Sequence, residues 1–164
     1  MKYKTKMFGL LVAAILLPMV FATPSRAALQ GWKLVDSGKH LDYEDKSKYS
    51  SSISSAIALW EGRHRGIIRK DSWNTIKDVT ISDFNEASTT LGITYARGEM
   101  KFNDYHFNTM TNAERLKTVT HEFGHALGLD HTNGEKDVMK QGKFEITGLS
   151  QTDKNSYDEA YAGY

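Results

Sequence analysis

Residues 121–131 read HEFGHALGLDH and hold three of the chain's six histidines. His121 and His125 are four residues apart. On a helix they differ by about 40° around the axis, so both imidazoles leave the same face. Two nitrogens at that spacing can share one metal ion. Glu122 lies at the rim of that face, placed to reach a metal-bound water without displacing it. Gly128 permits a sharp turn after the helix, and His131 follows three residues later. The pattern H-E-x-x-H-x-x-G-x-x-H therefore supplies three ligands, a base and the bend that delivers the last histidine. A catalytic zinc site offers three protein ligands and keeps one position for water. His40, His64 and His106 stand alone in the sequence and read as ordinary polar residues.

A helix must carry the first two histidines. Thr111 followed by Glu114 fits a capping box and starts it at Asn112. Leu116, Val119, Phe123, Ala126 and Leu127 recur at three and four residues and form a core-facing stripe. Gly128 ends it, because glycine takes the left-handed conformation without steric cost. A second helix is read over residues 48–63, with Ile53, Ala56, Ile57 and Trp60 on one face, and a last one begins after Ser150. HLDYE, GIIRK, DVTISDF, LGITYA (91–96) and EMKFND (99–104) read as short strands, the last two joined by a turn near Gly98.

The bulk properties narrow the function. A length of 164 residues suits one domain. The formal charge of +1 gives no field that points to nucleic acid. Residues 1–27 combine a basic start, an uncharged run over 7–22 and small residues near Ala22 and Ala27, the order of a secretory signal peptide. Pro18 and the short run favour cleavage over a retained anchor. Without that segment, which contains four basic residues and no acid, the remaining domain, 28–164, carries 17 basic and 20 acidic residues. The expectation is a mildly acidic, secreted, extracellular protein, bacterial in origin, monomeric and free of stable membrane association. There is no cysteine, which excludes a disulfide framework, a thiolate metal site and a cysteine nucleophile.

Together these residues resemble the metzincin clan of zinc endopeptidases, and its matrixin branch above all. The extended zinc motif carries the resemblance. Met139, in DVM eight residues after His131, stands where matrixins place the methionine of their Met-turn. SAIALWE is similar to the family's first helix, DVTISDF to the strand before the substrate edge, LGITYARGEMKFND to the edge strand and the strand that follows it, and LSQTDKNSYDEAY to the closing helix. The resemblance implies an α+β, zincin-like domain. It has a small, twisted, mostly parallel sheet with an antiparallel edge strand, an active-site helix, a Met-turn and a C-terminal helix. It also implies one catalytic Zn2+ on His121, His125 and His131, with Glu122 as general base, and protein or peptide substrates lying extended against LGITYA. Asp153 would support the Met-turn.

The chain departs from the family in several places. A second, structural zinc would need histidines where Ile93 and Lys101 stand. No residue pattern supports a structural Ca2+. Residues 28–39 are too few to block a cleft, and KQGKF after Met139 replaces the family's usual wall of the main specificity pocket. Two rival readings follow. One takes Glu145 or Glu159 as third ligand in place of His131. The other is a catalytically silent, zinc-stabilised binding module of the same fold.

Overall fold

A computed structural model describes residues 29–73 and 76–164. The signal-peptide reading of residues 1–27 lies outside them. The elements run β1 (Leu41–Asp45), α1 (Ser50–Glu61), β2 (Ile68–Lys70), β3 (Val79–Phe84), β4 (Gly92–Tyr95), β5 (Glu99–Asn103), α2 (Asp104–Phe107), α3 (Asn112–Ala126) and α4 (Gln151–Ala162). No helix among the described residues is long and apolar enough to cross a membrane.

The five strands form one sheet in the order β2-β1-β3-β5-β4. β1 pairs in parallel with β2 and β3, and β3 with β5. β4 alone is antiparallel, pairing with β5 from Gly92 opposite Phe102 to Tyr95 opposite Glu99. This is the mostly parallel sheet with an antiparallel edge strand that the resemblance implied. The parallel β1–β2 pair needs a crossover, which α1 provides. The tight link at Gly98, whose φ is +85°, permits the antiparallel β4–β5 pair.

Apolar residues of both layers meet between sheet and helices. Leu41, Val79, Ile81, Met100 and Phe102 from the strands are fully buried, as are Ala56, Trp60, Val119 and Phe123 from α1 and α3. The Trp60 indole N–H donates to the Thr120 carbonyl at 3.0 Å and ties α1 to α3. Trp60 also meets the Tyr157 ring of α4 edge-on at 5.2 Å.

α1 is shorter at both ends than the expected 48–63. The Asp83 carboxylate of β3 explains its start. It accepts the Lys48 N–H and the Ser47 hydroxyl, holding those residues outside the helix. The expected stripe on α3 is buried except at Leu116, which is half-exposed, while its neighbour Lys117 is buried.

Candidate metal centre

α3 begins at the expected capping box: Thr111 accepts the Glu114 N–H, and Glu114 accepts the Thr111 N–H. Gly128, with φ at +92°, turns the chain after Leu127. The Leu129 N–H returns to the Gly124 carbonyl at 2.9 Å, and Asp130 accepts the His131 N–H at 2.7 Å. The turn thus brings His131 back over the helix it has just left.

The three imidazoles converge. Nε2 of His125 lies 3.2 Å from Nε2 of His121 and 3.1 Å from Nε2 of His131. The other ring nitrogens settle which atoms are protonated. Nδ1 of His121 lies 2.8 Å from the Val138 carbonyl, and Nδ1 of His125 lies 2.9 Å from the Leu129 carbonyl. A carbonyl can only accept, so both Nδ1 atoms carry the proton. In the neutral rings both Nε2 atoms then present lone pairs to one another. Burial holds both imidazoles below their ordinary range, His121 far below, which favours the neutral form.

Lone pairs a little over 3 Å apart repel unless a cation lies among them. Three neutral nitrogens around one point are the donor set of zinc, and each helical histidine has the outer hydrogen bond that fixes its tautomer. The residues fit a zinc ion. Glu145 and Glu159 do not join the group; Glu145 instead accepts the Thr111 hydroxyl at 2.8 Å. His131 is the third member, as the spacing predicted.

Glu122 is buried beside the triad and separate from it. The Thr94 hydroxyl of β4 lies 2.8 Å from Oε2 of Glu122. Burial pushes this carboxyl up to about 7, against the opposing effects of the Thr94 hydrogen bond and the Lys117 ammonium. Gly92 keeps β4 close: a Cβ there would sit 3.0 Å from Cγ of Glu122.

Beneath the helix, Met139 is fully buried. Its sulfur lies where a side chain on Gly124 would go. Asp153 accepts the N–H groups of Val138 at 3.0 Å and Met139 at 3.3 Å, while forming a capping box with Ser150 at the start of α4. One carboxylate therefore fixes both the turn and the closing helix.

The other histidines lie elsewhere. His64 bonds Asp158 and stacks on Tyr161, His106 bonds the Ser88 carbonyl, and His40 sits near Asp36. Ile93 and Lys101 face each other across β4 and β5.

A model of the matrixin family matches residues 26–162. The chain belongs to the matrixin family. Its relatives by that match are zinc metallopeptidases, and this matrixin carries the histidine triad that such a family implies. No curated protein sequence matches it. Among solved structures it resembles an archaemetzincin from Methanopyrus kandleri, at 14% identity and a TM-score of 0.48, over 78% of this matrixin and 99% of that chain.

Several residues around the centre were not singled out by sequence reasoning. Thr94 and Lys117 act through neighbours distant in the chain and leave no local signal. Gly92 and Gly124 do leave one, since glycine within a strand or helix marks a close approach by something else.

Proposed function

We propose that this matrixin is a secreted zinc-dependent endopeptidase, exported by residues 1–27 and acting as a monomer on proteins or peptides. The observation that carries the reading is the convergence of three Nε2 atoms beside a buried carboxylate that is not one of the ligands. A zinc ion held by His121, His125 and His131 supplies Lewis acidity toward water and the scissile carbonyl. Glu122 accepts the proton released as water attacks and returns it to the leaving amine. Its raised affinity for that proton suits both halves of the transfer. Thr94 holds the carboxylate in place. Among the described residues β4 has one unpaired edge, along which a substrate main chain adds as a further strand. Met139 takes the Met-turn role, as an apolar floor held by Asp153.

A silent binding module of the same fold is the second reading. Glu122 argues against it. A purely structural centre gains nothing from a carboxylate whose burial is costly.

Glu122→Gln separates the two. Hydrolysis of casein by the zinc-loaded variant should fall by roughly 10²- to 10⁴-fold with zinc content unchanged. In the active protein the acid limb of the pH profile lies at or below about 7, because the base works only when ionised. Full hydrolysis by the variant would remove Glu122 from the chemistry.

A further inference from the structure

The cleft that contains the histidines has a volume of about 490 Å³, and Lys117 lines it. Lysine seldom lies this deep, since its stem normally carries the ammonium out to water. Here the residue is 2% exposed. Two of its three N–H donors are used. They go to the carbonyls of Lys140 and Gly142, the second at 2.9 Å, and so hold the stretch after Met139 against α3. The third has no acceptor among the described residues; the Phe144 ring centre is 5.8 Å away. No carboxylate among the described residues is within ion-pair distance. Glu122 and Asp153 act on it only through space, and both are engaged elsewhere.

A buried ammonium without a counter-ion is unfavourable until an anion meets it. The lining offers none to spare. Its sole carboxylate is Glu122, and its second ammonium, Lys143, pairs with Glu114 at 3.5 Å. An apolar side chain entering the cleft would leave the third N–H unmatched, whereas a carboxylate would supply both the acceptor and the charge.

We propose that this cleft takes a substrate side chain ending in a carboxylate, Asp or Glu beside the scissile bond, and that Lys117 is the residue that selects it. The inference rests on the endopeptidase reading above. Lys117 touches no reacting atom in that reading; it sets which peptides are cut.

The test is cleavage profiling. Full-length zinc-loaded protein is given a mixed peptide library, and the new ends are read by mass spectrometry. The wild type should favour Asp or Glu over Leu at one fixed position next to the cut by about tenfold or more, the scale of one charge-assisted hydrogen bond. Lys117→Met should reverse the preference toward apolar residues. Lys117→Gln keeps donors for the two carbonyls but loses the charge, so it too should lose the preference, while Lys117→Arg retains it. If Lys117→Met does not fold, the Gln and Arg variants decide. A wild-type preference for apolar residues, or an acidic preference that survives in the Gln variant, overturns the assignment. If no peptide is cut, the endopeptidase reading fails on its own. The cleft is then read by NMR titration with blocked tripeptides carrying a central Glu or Leu. Tighter binding of Glu by about tenfold, lost in Lys117→Gln, supports the assignment, and equal binding overturns it.

Discussion

Two neutral imidazoles whose Nε2 atoms lie 3.2 Å apart, each proton already committed to a carbonyl, are a poor contact unless a cation separates them. That is why the backbone carbonyls of Val138 and Leu129 matter as much as the rings they orient. Single residues beneath the rings set how closely the turn can approach. Gly124 is one: a methyl there would meet the Met139 sulfur and come within 3.3 Å of the Trp60 ring. Alanine is the better helix former by about 1 kcal/mol, but this site has no room for it. Gly124→Ala should therefore destabilise the fold by about 1–3 kcal/mol in urea denaturation. A gain in stability would show that the turn yields freely. The grouping of the three histidines, the carboxylate beside them and the bend were legible in the sequence because they obey helical spacing and glycine's backbone freedom. Thr94 and Lys117 were not, because their partners lie 28 and at least 23 residues away.

Elements bring those residues together, and their ends do much of the work. Both capping boxes, at Thr111 and Ser150, form from residues that advertise them. Asp153 has a larger part than its place in such a box suggests, because the same carboxylate accepts from Val138 and Met139. Ser150→Ala should remove only the hydroxyl half of the cap, costing about 1 kcal/mol, and leave zinc affinity unchanged. Asp153→Ala should cost more and lower zinc affinity by about 10- to 100-fold, as loss of an outer-shell partner does. Competition with a chromophoric chelator reads this directly; equal zinc affinity in the two variants would detach Asp153 from the metal centre. α2 escaped sequence reading. Its four residues are too few to show a helical period, and its cap at Asn103 lies inside a predicted strand.

Across the whole molecule, the sheet order could not be read from periodicity, which locates strands but not their neighbours. The resemblance to matrixins supplied a mostly parallel sheet with an antiparallel edge strand but no strand order, and β4 lies antiparallel at the edge as it implied. The result is a sheet whose last strand leaves one side unpaired among the described residues, with Thr94 of that strand bonded to Glu122 of α3. The turn after α3 and the turn at Met139 meet through the Thr132 N–H and the Met139 carbonyl at 3.0 Å. The histidine triad, Met139 and the edge strand β4 are thus fixed to one another by the fold itself. A ligand that binds only the folded state stabilises it, so metal, hydrolysis and thermal stability should rise and fall together. The measurement to make is zinc content per chain on purified full-length protein, before and after chelation, with casein hydrolysis followed on the same samples. A single zinc per chain, lost together with hydrolysis and restored with it on adding zinc back, is the expected result. Folded protein that takes up no zinc, or that cuts casein equally fast once stripped, would contradict it.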